Sequence, residues 1–151
     1  MRALLQRVSF AKVVSEGELL GEIGPGLLVL LGITHEDTAT DIDWLVKKIT
    51  QMRIFQDEAG KMNLSVSDVQ GEILVVSQFT LFADTQKGNR PSFIRSAPPP
   101  VSVPLYEQFV EHLRKAFPHK VTTGRFGADM KVSLLNDGPV SIWIDSKQPT
   151  Y

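Results

Sequence analysis

The run Ser77-Gln78-Phe79-Thr80 sets two hydroxyls and a carboxamide around one phenyl ring, a combination suited to orienting a polar substrate beside an apolar or stacking surface. A hydroxyl nucleophile needs an adjacent base, and this segment holds no His, Lys, Cys or carboxylate, so serine-hydrolase chemistry finds no support in it. The plainer alternative is that Ser and Thr simply end a strand there. Gly138-Pro139 reads by default as part of a turn, because only about 5–6% of X-Pro bonds in folded proteins are cis. Asp137 beside it suits turn formation better than base catalysis. Arg7 either faces solvent or reaches inward, where it needs acceptors such as main-chain carbonyls. The 151 residues contain no cysteine, and the three histidines, His35, His112 and His119, show no ligand spacing. A disulfide framework, a thiolate nucleophile and thiolate zinc sites are thereby excluded, and neither a metal nor a cofactor is expected. Residues 21–26 are glycine-rich without the dinucleotide-binding spacing, and Gly124-Arg125-Phe126-Gly127 matches the GXXG clamp of KH domains only superficially; both read as turns.

The elements that must hold these residues follow from patterning. Residues 3–14 place Leu5, Val8, Phe10 and Val13 among polar neighbours, and Glu16-Gly17-Glu18 turns the chain into a hairpin. Residues 27–33 form an uninterrupted apolar run, as expected of a central strand covered on both faces. Ile42, Leu45, Val46, Ile49 and Met52 recur at helical spacing after Thr38 or Thr40 as N-cap. Ile54-Phe55 precedes a surface turn at 57–61. Residues 72–81 read as a second core strand whose polar end carries Ser77 to Thr80, the end at which open α/β sheets place their sites. Ala97-Pro98-Pro99-Pro100 is a stiff connector into a second helix, with Leu105, Phe109, Leu113 and Phe117 on its apolar face. Residues 130–135 and 140–144 flank Asn136-Asp137-Gly138-Pro139, which predicts a hairpin. The sum is one mixed sheet system with two packed helices in a single α/β domain, followed by a polar tail, 146–151, expected to fray.

Charge is unevenly distributed. Residues 1–84 hold 12 acidic and 7 basic side chains, whereas residues 85–151 hold 5 acidic and 9 basic. Two stretches of the second half lack acids altogether: 85–106, with Lys87, Arg90 and Arg95, and 112–128, with Arg114, Lys115, Lys120 and Arg125. They read either as a local polyanion footprint or as solvated charge balanced in space by the acidic half. No run approaches the length of a membrane span, and the first residues do not form a signal-peptide core, so a soluble, cytoplasmic protein is expected.

In chain order, GKMNLS (60–65), SQFTL (77–81), RPSF (90–93), GRFGADM (124–130) and NDGPVS (136–141) resemble the D-aminoacyl-tRNA (D-tyrosyl-tRNA) deacylase family over residues 1–145. One departure is Ser141, where the family's second motif usually ends in Thr; the hydroxyl is kept and β-branch stiffness is lost. The resemblance implies a barrel-like sheet system and a homodimer with its site at the subunit interface. It implies hydrolysis of the ester of D-aminoacyl-tRNA and the 3′ end of aminoacyl-tRNA as partner; rejection of L-residues by a clash of Cβ with main chain would add glycyl-tRNA as a side activity, since glycine has no Cβ. Ser77, Gln78, Phe79 and Thr80 would line the pocket of one subunit as its catalytic positions. Gly138-Pro139, held cis, would enter the pocket of the other and offer main-chain carbonyls to the substrate's α-amino group. Arg7 would anchor that motif, with Met130 packed nearby. Main-chain N–H groups near Phe79 and Thr80 would serve the oxyanion, and the proton agent is either the vicinal 2′-hydroxyl of the terminal ribose or Thr80. Two other readings stay open: a non-catalytic dimeric module binding a tRNA end or an amino acid, and a small metal-free esterase or thioesterase of unrelated substrate.

Overall fold

In the computed structural model, which describes residues 1–150, β1 (Arg2–Ser15) turns into β2 (Glu18–Ile23) through Glu16 and Gly17, both at positive φ, 50° and 79°. This is the tight connection that an antiparallel hairpin favours. β3 (Gly26–Gly32) pairs antiparallel with the first half of β1, while β2 pairs with its second half. α1 (Ala39–Gln51) starts at Thr38, closed by a reciprocal capping box with Asp41. After a small β4 (Phe55–Gln56), β5 (Met62–Leu64) hairpin, β6 (Glu72–Ser77) returns parallel to β3. α2 (Pro99–Ala116) then carries the chain to β7 (Val121–Thr123), parallel to β6. β8 (Lys131–Asp145) closes the architecture along the whole length of β1. The sheet order is β2-β1-β3-β6-β7 with β8 also on β1, and the sheet curls into a nearly closed, barrel-like system carrying two helices.

The apolar run of β3 is unbroken because alternate residues enter two different cores. Leu27, Val29 and Leu31, with Ile73 and Val75 of β6, meet Ile42, Leu45 and Ile49 of α1 and Phe109 and Leu113 of α2. Leu28, with Leu74 and Val76, faces the inside of the curl against Val8, Ala11, Val13 and Ile23. The two core strands therefore form a rigid floor, and their carboxyl ends project from it.

Four expectations from the sequence are corrected. The strand read over 72–81 stops at Ser77, and residues Phe79–Phe82 form a 3-10 turn. Two of the connector prolines lie inside α2, whose first residue is Pro99; a proline costs little there because first-turn N–H groups have no helical partner. Residues 130–144 are not a hairpin. Both flanks pair with β1, and between the pairs Gln6↔Ser141 and Val8↔Asn136 the chain of β8 advances five residues for two on β1. Residues 137–140 are thus an outward bulge in one long strand. Asn136 closes it, its Oδ1 accepting from Val140 N–H at 2.7 Å and its Nδ2 donating to the Val140 carbonyl at 3.3 Å. The Asp-Gly signal marks the bulge, but pairing with a third strand outweighs local turn preference.

The tail, finally, is pinned where it begins. Ser146 accepts from the Met1 α-amino group at 2.8 Å and donates to Asp41 at 2.6 Å, while Lys147 reaches Asp41 and the Glu36 carbonyl, each at 2.9 Å. Burial pushes the Asp41 carboxyl up, but the bonds from Ser146, Lys147 and the Thr38 main chain outweigh it and hold the group well below the usual carboxylate range.

Candidate functional site

A cavity of about 530 Å³ opens at the carboxyl ends of β3 and β6. Leu31 and Val76 form its floor, Ser77, Gln78 and Phe79 one wall, and Phe126, Ala128, Met130 and Val132 the facing wall. Phe93, Ser96, Pro99 and Ser102 complete the rim. Among the described residues, none that lines it carries a titratable side chain. The lining is thus apolar with a few hydroxyls and one carboxamide, able to hold and orient a neutral or amphipathic group but holding no side-chain base.

The Ser77–Thr80 segment acquires its shape from where β6 ends. Gln78 N–H donates to the Leu31 carbonyl at 2.7 Å, the last link to β3. The chain then tightens into the 3-10 turn, whose first internal bond runs from Leu81 N–H to the Gln78 carbonyl. The amides of Phe79 and Thr80 precede that bond and open the turn. Phe79 is 56% exposed and meets Phe93 edge-on, ring centroids 5.1 Å apart. Thr80 is exposed, does not line the cavity, and its hydroxyl accepts from Gln78 Nε2.

Behind the turn stands Arg2, which the sequence reading passed over. Its Nη1 donates to the Leu81 carbonyl at 2.9 Å and its Nε to Asp145 at 2.8 Å, and its guanidinium lies 4.4 Å from the Phe82 ring centroid. Asp145 is only 3% exposed, so Arg2→Ala would leave a buried carboxylate without its cation. Loss of about 3 kcal/mol is expected from the shift of the urea unfolding midpoint, with Arg2→Lys recovering the charge but not the fork. On the other wall Tyr106 donates to the Val75 carbonyl at 3.2 Å and packs against Phe126, centroids 5.5 Å apart; burial pushes its phenol up to about 12.

Arg7, Gly138 and Pro139 lie elsewhere. Arg7 is buried and reaches inward, its Nε donating to the Asp137 carbonyl at 2.8 Å and its Nη1 to the Ile54 carbonyl at 2.6 Å. Its fork thus ties the bulge to the loop after α1. The Gly138-Pro139 bond is cis. Arg7 pairs with Leu27 on β3, whereas the cavity begins at Leu31, four residues or about 13 Å further along the strand. Within one chain, then, Ser77, Gln78, Phe79 and Met130 come together, and Gly138 and Pro139 do not join them.

Phe93, Ser96, Ser102 and Phe126 were not anticipated as lining residues. The signal was available for two of them, since RPSF and GRFGADM contain Phe93 and Phe126, but nothing local told a wall from a surface turn.

Comparison with known proteins decides the kinship. The model of the family described as D-Tyr-tRNA(Tyr) deacylase matches residues 4–145. The chain belongs to the D-Tyr-tRNA(Tyr) deacylase family. This is a family of hydrolases acting on ester bonds. A protein of Flavobacterium johnsoniae named D-aminoacyl-tRNA deacylase is 60% identical over 97% of this chain and 98% of its own. One of the same name from Chromobacterium violaceum is 57% identical over 99% of both. Among solved structures, a c-Myc DNA unwinding element binding protein is similar with a TM-score of 0.91 at 46% identity, covering 96% of this chain and 98% of its own. A probable eukaryotic D-amino acid tRNA deacylase shares the deacylase-family fold, with a TM-score of 0.82 at 17% identity over 95% of this chain and 97% of its own.

Proposed function

We infer that the protein hydrolyses the ester joining a D-amino acid to the 3′-terminal ribose of tRNA, releasing both. The observation that carries this reading is that Ser77, Gln78 and Phe79, in a chain of the deacylase family, wall a cavity large enough for an aminoacylated nucleoside. Attack of water on the ester needs positioning and donors for the developing oxyanion, and the Phe79 and Thr80 amides are the donors assigned here. Among the described residues no titratable side chain lines the cavity, so proton removal is assigned to the vicinal 2′-hydroxyl of the substrate.

In this reading Gly138 and Pro139 serve the cavity of a second copy. Support comes from β8, a 15-residue edge strand paired on one side only, with Leu135 55% exposed beside its partner Phe10, 41% exposed. A long unpaired edge invites pairing with another chain. Sedimentation at micromolar concentration is expected to give about 34 kDa, twice the 16.8 kDa chain; a fully active monomer would overturn the composite site.

Main-chain carbonyls presented to the α-amino group recognise what every amino acid shares and leave one direction for Cβ, so an L side chain clashes while glycine cannot. No helix among the described residues is long and apolar enough to cross a membrane, and the reading puts the protein in the cytoplasm with the charged tRNA pool. The test is hydrolysis of D-, L- and glycyl-tRNA side by side, using D- and L-alanyl esters on the same tRNA. The D-ester is expected to turn over, the glycyl ester more slowly, and the L-ester not at all. Binding without turnover would instead favour the tRNA-end binding module, and cleavage of simple esters with indifference to RNA would favour an unrelated esterase.

A further inference from the structure

The two acid-free stretches of the second half meet different fates in the fold. In 112–128, Lys115 pairs with Glu111 at 2.7 Å, Arg125 with Glu18 at 3.0 Å and Lys120 with Glu72 at 3.6 Å. Three of the four Lys and Arg side chains there are thus paired, one with its own helix and two with distant strands, while Arg114 is exposed without a salt bridge among the described residues. In 85–106, Lys87, Arg90 and Arg95 are all exposed, and none of the three forms a salt bridge among the described residues.

These three cations sit on the loop 83–97, which rims the cavity and is held in place at several points. Asp84 and Ser92 exchange main-chain bonds of 2.9 and 2.8 Å, and the Asp84 carboxylate is turned back onto Gln86 N–H at 2.9 Å. Thr34 donates to the Arg95 carbonyl at 2.6 Å and His35 to the Ile94 carbonyl at 3.1 Å. Phe93, from the same loop, packs on Phe79 and lines the cavity with Ser96. Ile94, next to Arg95, is 84% exposed. The loop that lines the cavity with Phe93 and Ser96 thus also carries three unpaired cations and an exposed apolar side chain, while the lining itself holds no charged side chain among the described residues.

We propose that Lys87, Arg90 and Arg95 form a phosphate-binding rim for a single-stranded RNA end whose terminal nucleotide enters the cavity. This rests on the deacylase reading of that cavity and names the part of the protein that holds the rest of the substrate. An unpaired exposed cation loses no protein partner on meeting a phosphate and releases condensed counterions from the RNA, whereas Lys115, Lys120 and Arg125 must first leave their carboxylates. Cations beside exposed aromatic and aliphatic side chains are the makeup of surfaces that track single strands, where bases stack and phosphates pair.

The test is binding of uncharged tRNA as a function of salt. For Lys87→Ala/Arg90→Ala/Arg95→Ala, affinity at 0.15 M salt is expected to fall at least tenfold, and the slope of log K against log salt to become shallower by about 2, near 0.7 for each single-strand phosphate contact. The charge-conserving triple Lys87→Arg/Arg90→Lys/Arg95→Lys should restore both, and Lys115→Ala/Lys120→Ala/Arg125→Ala should keep the parent's affinity and slope. An unchanged slope, a loss of affinity independent of salt, or an equal effect of the paired set would overturn the rim. So would a parent that binds no tRNA, or competition by polyglutamate but not by single-stranded RNA, which would mark an acidic protein partner. Turnover of D-aminoacyl-tRNA by the parent is read separately. Loop-dependent tRNA binding without turnover would sink the deacylase reading and leave the rim standing.

Discussion

A D-aminoacyl-tRNA ending in 2′-deoxyadenosine is expected to be hydrolysed about 10³-fold more slowly than its ribose counterpart, while Thr80→Ala stays within about tenfold of the parent. Among the described residues the cavity lining offers hydroxyls, a carboxamide and apolar walls but no titratable side chain, so the lining supplies no side-chain base to the attacking water. Thr80 is a poor substitute. It lies outside the lining, and its hydroxyl is engaged by Gln78. What Thr80 contributes in this account is its main-chain N–H, which alanine retains. The 2′-hydroxyl, by contrast, is held next to the ester by the substrate's own covalent structure and arrives oriented, the arrangement from which intramolecular assistance draws its advantage. Initial rates of both substrates with both proteins form the measurement. Full activity on the deoxy substrate together with collapse of Thr80→Ala would transfer the chemistry to Thr80.

Gly138→Ala is expected to lower kcat/KM at least 10²-fold while the protein stays folded. Gly138 sits at φ 144°, a backbone conformation that L side chains rarely adopt. A Cβ there would lie 2.7 Å from Val140 Cγ2, 3.0 Å from the Val140 nitrogen and 3.1 Å from Arg7 Nη2. None of these yields cheaply. Val140 N–H is bonded to Asn136, and the Arg7 fork is committed to the carbonyls of Asp137 and Ile54. The bulge must therefore shift, at a cost of about 1–3 kcal/mol. A displacement near 1 Å at a positioning element costs on the order of 10² in rate. Val140 packs against the helix-facing core, so far-UV circular dichroism should be unchanged while the melting temperature falls by about 2–4 °C for each kcal/mol of that cost. Undiminished turnover by Gly138→Ala would mean that the bulge does not enter a pocket.

Several features of this molecule could be read directly from residue order. The Glu16-Gly17 turn, the Thr38-capped α1 and the doubly covered β3 are each specified within a dozen residues, since each depends on local periodicity, a cap or a permissive turn. The segment 77–80 was also visible, because two hydroxyls and an amide at the polar end of an apolar strand are unusual enough to single out. The GRFGADM segment was recognisable as a motif, yet that Phe126 and Met130 wall the same cavity depends on β7 and β8 folding back over β6, which no local signal announces.

Sequence alone thus determined the elements with local causes and the neutral, base-free chemistry of the 77–80 segment. Only the tertiary structure decided how distant segments share partners. Residues 136–139 carry the signal of a hairpin, but β1 has a free edge along its whole length, and both flanks gain more ladder bonds from it than from each other. Lys120 and Arg125 look like Lys87, Arg90 and Arg95 in the sequence, but only folding brings Glu72 and Glu18 to the first pair and leaves the other three without a salt bridge among the described residues. Ser77 and Gly138 both sit in recognisable motifs, and only the strand register puts Arg7, which holds the Gly138 bulge, four residues or about 13 Å along β3 from the level of Ser77. In each case the deciding interaction is between residues far apart in the chain, whose encounter is set by the burial of two cores and not by any local preference.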